Sequence, residues 1–224
     1  MIFIIFIAIA IASYAVQASL ESKFKRYSQI PVNGNLTGAQ VAERMLREHG
    51  IYNVQVTQTD GHLTDHYNPM TQTVNLSREV YYGNSVASAA VAAHECGHAL
   101  QHATGYSMLR LRSNLVPAVN FSSKLLPWLL LGGILTISVF PQLLLLGIIL
   151  YAVTTLFTLV TLPVEIDASR RATLWLQRTG ITSGQTQEQA KDALKSAAYT
   201  YVVAAVSSLA TLIYYILIYT SRRE

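Results

Sequence analysis

Two apolar runs, residues 125–140 and 142–162, stand end to end with only Pro141 between them, and neither carries an Asp, Glu, Lys or Arg. The second has 21 residues, which at about 1.5 Å per residue crosses a hydrocarbon core of roughly 30 Å. The first is short alone and is expected to borrow from residues 115–123, with Lys124 snorkelling to the interface. A link of one proline forces a helical hairpin whose outer ends lie on one side of a membrane. Two further uncharged runs, 1–18 and 199–219, complete a set of four spans. The charged fraction is only 12%, against about 25% in a soluble domain, and the mean hydropathy is +0.33.

The first run has no basic residue before it and is followed by Lys23, Lys25 and Arg26. That pattern suits a retained anchor better than a cleaved signal, although Val16-Gln17-Ala18 loosely fits a peptidase site. Four spans place residues 19–114 and 163–198 on one side. Of the 16 Lys and Arg residues, 14 lie on that side or at its border, and only Arg222 and Arg223 lie on the other. The positive-inside rule makes the first side cytoplasmic.

Outside the spans, Leu36-Thr37-Gly38 opens an amphipathic helix with Val41, Met45 and Leu46 on one face, stopped at Gly50. Residues 51–56 and 71–76 alternate as strands, with Tyr67-Asn68-Pro69 as a turn between them. Residues 77–82 read as irregular or briefly helical. Asn84 or Ser85 is placed to cap a long helix over 86–103. The single cysteine, Cys96, excludes an internal disulfide framework. With a net charge of only +4 and no basic run interleaved with aromatics, nucleic acid is not an expected partner.

The 86–103 helix contains His94-Glu95-Cys96-Gly97-His98. Residues four apart stack on one helical face, so two imidazoles can reach one ion at about 2.0–2.1 Å each. Glu95 flanks that ion instead of ligating it and can take a proton from water activated there. The preceding stretch, 86–93, is wholly small and apolar. Three ionisable groups at the end of a buried helix are costly without a metal or partners. His102 continues the spacing but lies about 12 Å along the axis from His94, so it reads as a supporting or structural residue. A third metzincin-type histidine would stand at position 104, which is Thr. Cys96 faces away from the metal side and reads as core.

A catalytic zinc takes three protein ligands and keeps one open position. In gluzincin-type sites the third ligand is a glutamate on a later helix. Glu165 and Asp167 stand in Pro163-Val164-Glu165-Ile166-Asp167-Ala168-Ser169-Arg170-Arg171-Ala172, where the second run of the hairpin leaves the membrane. A carboxylate at the lipid boundary is costly unless it is paired or metal-bound. Glu165 is the preferred ligand and Asp167 the alternative. Pairing with Arg170 or Arg171 is the competing explanation for both. Asp167 is otherwise suited to hold a ligand histidine through its ring N–H.

Three segments, Leu63-Thr64-Asp65-His66-Tyr67-Asn68-Pro69, the 91–102 stretch around the two histidines, and the 163–172 stretch, resemble the YugP-like membrane zinc metallopeptidases of prokaryotes. The resemblance covers nearly the whole chain. It implies a mainly α fold: four transmembrane helices with a small α+β, zincin-like (gluzincin) catalytic domain on one membrane face. It also implies zinc on His94, His98 and Glu165, and a plasma-membrane location. Asn68 replaces a common Asp. Ser169 stands where better-studied membrane gluzincins have an acidic residue, with Asp167 the stand-in. His66 and Tyr67 are candidate donors to the oxyanion of a tetrahedral intermediate, or simply satisfied turn residues.

The expected organisation is an anchor at 1–18, a catalytic region at 19–114, a hairpin at 115–162, a third-ligand helix and connector at 163–198, and a last span and tail at 199–224. The expected activity is zinc-dependent endopeptidase cleavage of membrane-associated or unfolded polypeptides, with Glu95 as general base. Residues 71–76, as an exposed sheet edge, would then bind substrate by strand addition. The partners implied are a polypeptide substrate and the lipid bilayer, with room for an oligomer or a regulatory partner. A scaffold or assembly factor with structural zinc is the alternative, but a structural site wants a fourth protein ligand and no general base.

Overall fold

The computed structural model describes residues 2–221, with side chains from residue 6 onward. Met1 at the start of the expected anchor, and the tail pair Arg222 and Arg223, lie outside the described residues. The protein is mainly helical. In order it runs α1 (Ile2–Tyr27), a short 3-10 turn (Asn33–Asn35), α2 (Gly38–Glu48), β1 (Gln55–Thr59), β2 (His66–Asn68), β3 (Thr73–Ser77), α3 (Arg78–Tyr82), α4 (Val86–Ala103), α5 (Ser107–Leu135), α6 (Gln142–Arg178) and α7 (Gly184–Thr220). These form two compact units. One holds residues 14–106 with 164–200; the other gathers the described residues of 1–13, 107–163 and 201–224.

In the second unit, α5 and α6 meet closely at Gly133, where an added Cβ would stand 2.6 Å from the Leu144 Cα. The Thr155 and Ser208 hydroxyls join α6 to α7 at 2.9 Å, the kind of polar contact that helps helices associate where no water competes. Among the described residues, three helices are long and apolar enough to cross a membrane: α5, α6 and α7. The hairpin's first helix differs from the expected 125–140 segment. It starts at Ser107, two residues after Gly105 at φ +64, and ends at Leu135. Residues 136–140, rich in β-branched side chains, form the turn into Pro141, because a residue before proline is pushed out of helical backbone.

The first unit carries the sheet. β3 is its central strand, parallel to β1 and antiparallel to β2. Val74 and Leu76 point from β3 into the core and are fully buried. Two sequence expectations change here. The segment taken as an exposed edge, 71–76, is the middle of the sheet, so strand addition there is excluded. Tyr67-Asn68, taken as a turn, belongs to the short edge strand β2, and the turn falls at Pro69. Three residues carry too little alternation to register as a strand. The first strand also begins later than expected, at Gln55 rather than residue 51.

α2 opens with a reciprocal capping box in which Thr37 and Gln40 exchange hydrogen bonds, and Gly50 at φ +72 turns the chain after it. Its apolar face, Val41, Ala42, Met45 and Leu46, packs into one core with β3 and the Ala/Val-rich α4. Trp175 of α6 donates to Glu48 of α2 at 2.8 Å. Asp192 of α7 accepts from Lys23 and Tyr27 of α1, each at 2.7 Å.

α4 runs over the expected residues 86–103, and Ser85 is its cap. Ser85 Oγ accepts from the Ser88 N–H at 3.1 Å, and the Val86 N–H donates to the Ile30 carbonyl at 2.8 Å. Ser85→Ala should therefore lower unfolding stability by about 1 kcal/mol, read as a shift in thermal unfolding of the detergent-solubilised protein.

Candidate metal centre

α4 is buried along almost its whole length, from Val86 through Ala93 and again from Glu95 through Gln101. Helix α6 crosses it at Gly97, where a Cβ would stand 2.7 Å from the Ala168 carbonyl oxygen. With no side chain at that point, the backbones approach closely. Glu165, one turn before Ala168, is thereby brought over the two histidines. Its Oε2 lies 3.2 Å from His94 Nε2 and 3.4 Å from His98 Nε2. The two rings stand nearly perpendicular, 85° apart, with centroids 4.8 Å apart. One donor atom from each of the three residues falls within a 4.8 Å cluster.

Glu165 is 2% exposed. Burial alone would raise its pKa, but hydrogen bonds and charge from His94 and His98 outweigh that and hold the carboxyl far below the usual carboxylate range. Burial pushes His98 down, and the Glu165 carboxylate beside it reverses the shift, so its net displacement is upward. Two imidazole nitrogens and one carboxylate oxygen, converging where His98 and Glu165 are buried, form a donor set that suits zinc in a three-ligand site.

The supporting bonds differ in part from the sequence expectation. Ser169 itself meets His94, Oγ to Nδ1 at 3.1 Å. Asp167 does not reach either ring. Its Oδ2 accepts from Arg171 Nε at 2.6 Å and from Gln101 Nε2 at 2.9 Å, and Gln101 Oε1 meets His98 Nδ1 at 3.0 Å. The Arg171 pairing considered for this carboxylate is thus present, one helical turn along α6. Gln101 was missed by sequence reasoning. The available signal was its position three residues after His98, on the same buried face.

Glu95 is buried beside this cluster and its Oε2 accepts the backbone N–H of Tyr67 at 2.9 Å. β2 therefore turns its outer edge toward α4. Asp65 anchors the start of that strand by accepting from the Ser77 N–H at 2.7 Å and the Ser77 hydroxyl at 3.1 Å. Burial raises the Asp65 carboxyl, with the two Ser77 bonds opposing it and the nearby Glu95 adding to the rise. The Tyr67 hydroxyl meets His102 Nδ1 at 2.8 Å, and burial raises the phenol pKa, so it stays protonated at neutral pH. His102 thus supports Tyr67, with no hydrogen bond to the ligand-type histidines. His66 is exposed, with Nδ1 on the Thr64 carbonyl at 2.8 Å. Cys96 is fully buried with its Sγ toward the Ala42 carbonyl. Burial pushes its thiol well up, which keeps it a protonated core residue.

Two outcomes follow from this geometry. Gly97→Ala forces α6 away from α4, costing about 1–3 kcal/mol as overpacking does, and zinc content measured on the purified protein should fall with it. In metal-free protein, the raised His98 pKa means its stabilising contribution is complete below its ordinary value of 6.5 and is lost as pH rises through the folded value. The lowered Glu165 pKa makes its contribution complete above the ordinary 4.5 and lost only as pH falls toward strong acid. Thermal unfolding of chelator-treated protein should therefore show the cluster's contribution between about pH 4.5 and 6.5, declining as pH rises further. His98→Gln should flatten the alkaline decline.

Known proteins resemble the chain over its whole length. The model of a family described as "Putative neutral zinc metallopeptidase" matches residues 2–220. A protein of Bacillus subtilis (strain 168), named "Putative membrane protease YugP", is 41% identical over 223 residues, covering 100% of this chain and 98% of that protein. No solved structure matches the chain.

Proposed function

Since the chain belongs to this neutral zinc metallopeptidase family, we propose that it is an integral-membrane, zinc-dependent endopeptidase of gluzincin type, acting on membrane-associated or unfolded polypeptides. The observation that carries the reading is the convergence of His94 Nε2, His98 Nε2 and Glu165 Oε2 on one buried point, with the Glu95 carboxylate beside it. Those three residues would hold the ion. Bound there, zinc supplies a Lewis acid that polarises a carbonyl and lowers the pKa of water toward about 7.

Glu95 acts as general base and then general acid, taking a proton from the attacking water and delivering it to the leaving amine. The Tyr67 N–H on Oε2 fixes the orientation of that carboxylate. Ser169 and Gln101 hold the far nitrogens of the two imidazoles, leaving the Nε2 atoms directed at Glu165. The Tyr67 phenol, steadied by His102, and the exposed His66 are the donors available to a developing oxyanion. The edge strand β2 takes the substrate role that the central β3 cannot, because it lies beside Glu95 and is paired on one side only.

In this reading the protein spans the membrane four times, with α1 as the first span and α5, α6 and α7 as the others. The site lies at the cytoplasmic surface, on the side that gathers most of the Lys and Arg residues. Glu165 comes three residues after the apolar run ends at 162, which favours juxtamembrane segments as substrates.

The test is cleavage of a model membrane protein in proteoliposomes. Glu95→Gln should lose at least about 100-fold in rate, as removal of a general base does, while keeping zinc. His94→Ala and Glu165→Ala should each lose zinc by elemental analysis. Equal cleavage by wild type and Glu95→Gln would rule out the mechanism.

A further inference from the structure

Gln101 is fully buried and sits where the two histidine-bearing turns of α4 face α6. Its side-chain amide has two hydrogens and both are used. Nε2 donates to the Val164 carbonyl at 2.8 Å and to Asp167 Oδ2 at 2.9 Å. A carbonyl and a carboxylate bound to Arg171 are acceptors only. The amide therefore has one orientation, and its Oε1 must be the atom that faces His98 Nδ1 at 3.0 Å. An amide oxygen accepts and cannot donate, so Nδ1 carries the hydrogen. The neutral ring then presents its lone pair on Nε2, the nitrogen 3.4 Å from Glu165. His94 is held differently: its Nδ1 meets the Ser169 hydroxyl, which can either donate or accept and dictates no tautomer by itself.

The same amide grips the main chain one residue before Glu165. The carbonyl of Val164 and the carboxylate of Asp167 lie on either side of that ligand in sequence, and both are fixed to a single α4 side chain. Arg171 closes the outer end of the chain, holding Asp167 at 2.6 Å while its guanidinium lies 5.9 Å from the Tyr106 ring centroid.

We propose that Gln101 is the positioning residue of the metal centre: its oxygen sets the metal-ready tautomer of His98 while its nitrogen registers the α6 segment that bears Glu165. This rests on the zinc-site reading above. It assigns the coupling between the two halves of the site to one uncharged side chain and makes His98, not His94, the pre-set ligand.

Zinc affinity of the full-length protein in detergent, measured by competition with a chromophoric chelator, tests it together with the ¹⁵N spectrum of the His98 ring in zinc-free protein at alkaline pH. Gln101→Met, similar in volume but without the amide, should weaken zinc by about 10–100-fold, the usual range for loss of a ligand's hydrogen-bond partner. It should also shift the His98 ring away from the Nδ1–H tautomer. Gln101→Glu keeps an acceptor for Nδ1–H but loses the two donations and sets a second carboxylate against Asp167 and the Val164 carbonyl, so it should retain the tautomer while the misregistered α6 segment binds zinc more weakly than wild type. Zinc affinity within twofold of wild type in Gln101→Met, or an unchanged His98 tautomer, overturns the proposal even if its thermal stability falls, since helix packing alone predicts that result. His94→Ala serves as the control: if it too binds zinc as wild type does, the metal-centre reading itself has failed.

Discussion

A carboxylate, 2% exposed, placed between two imidazoles is the interaction on which the rest of this structure turns. An isolated buried charge costs several kcal/mol, so Glu165 is tolerable in the folded chain only where it meets a proton-bearing histidine or a cation. Both histidines come from α4 and the carboxylate from α6, so the folded unit depends on these helices meeting in one register. The small residues of α4 serve that meeting. Its Ala-rich face lets neighbouring elements close in, and Gly97 admits the backbone of Ala168. A bulkier α4 would have a larger apolar core and no site.

The sheet contributes orientation more than bulk. Its short edge strand β2 is held at one end by Asp65 on Ser77 and presents the Tyr67 N–H to Glu95. That bond ties the Glu95 carboxylate to β2, although the residue adjoins His94 in sequence. Tyr67 extends the same constraint through its phenol to His102, one turn of α4 beyond His98. The histidine that spacing excludes as a ligand thus steadies the strand beside Glu95.

Periodicity and caps made the helices legible. Thr37 with Gln40 and Ser85 with Ser88 are local signals, and the structure starts α2 and α4 where those residues stand. Pairing of β1, β3 and β2 was not legible, because strand order depends on contacts between segments and a three-residue strand carries almost no pattern of its own. The reading of 71–76 as an edge failed for that reason. At the site, the His94 and His98 spacing is a property of one helix, whereas the relation of Asp167 to the rings depends on where α6 crosses α4. From sequence, a carboxylate two residues after Glu165 looks able to reach a histidine. In the folded unit Gln101 stands between them and Ser169 takes the other ring.

The donor set also bears on whether an ion here would act or merely brace. A closed structural site draws a fourth side chain, most often a thiolate or an imidazole. The sole cysteine is adjacent in sequence to Glu95, yet two helical steps of about 100° each from His94 turn it away from the histidine face, where it is fully buried with its Sγ toward the Ala42 carbonyl. His102 is committed to Tyr67. The cluster found among the described residues has three members, His94, His98 and Glu165. In the proposed reading, three ligands, a separately held carboxylate and a protonated phenol would together serve hydrolysis, whereas a brace would use only the three ligands.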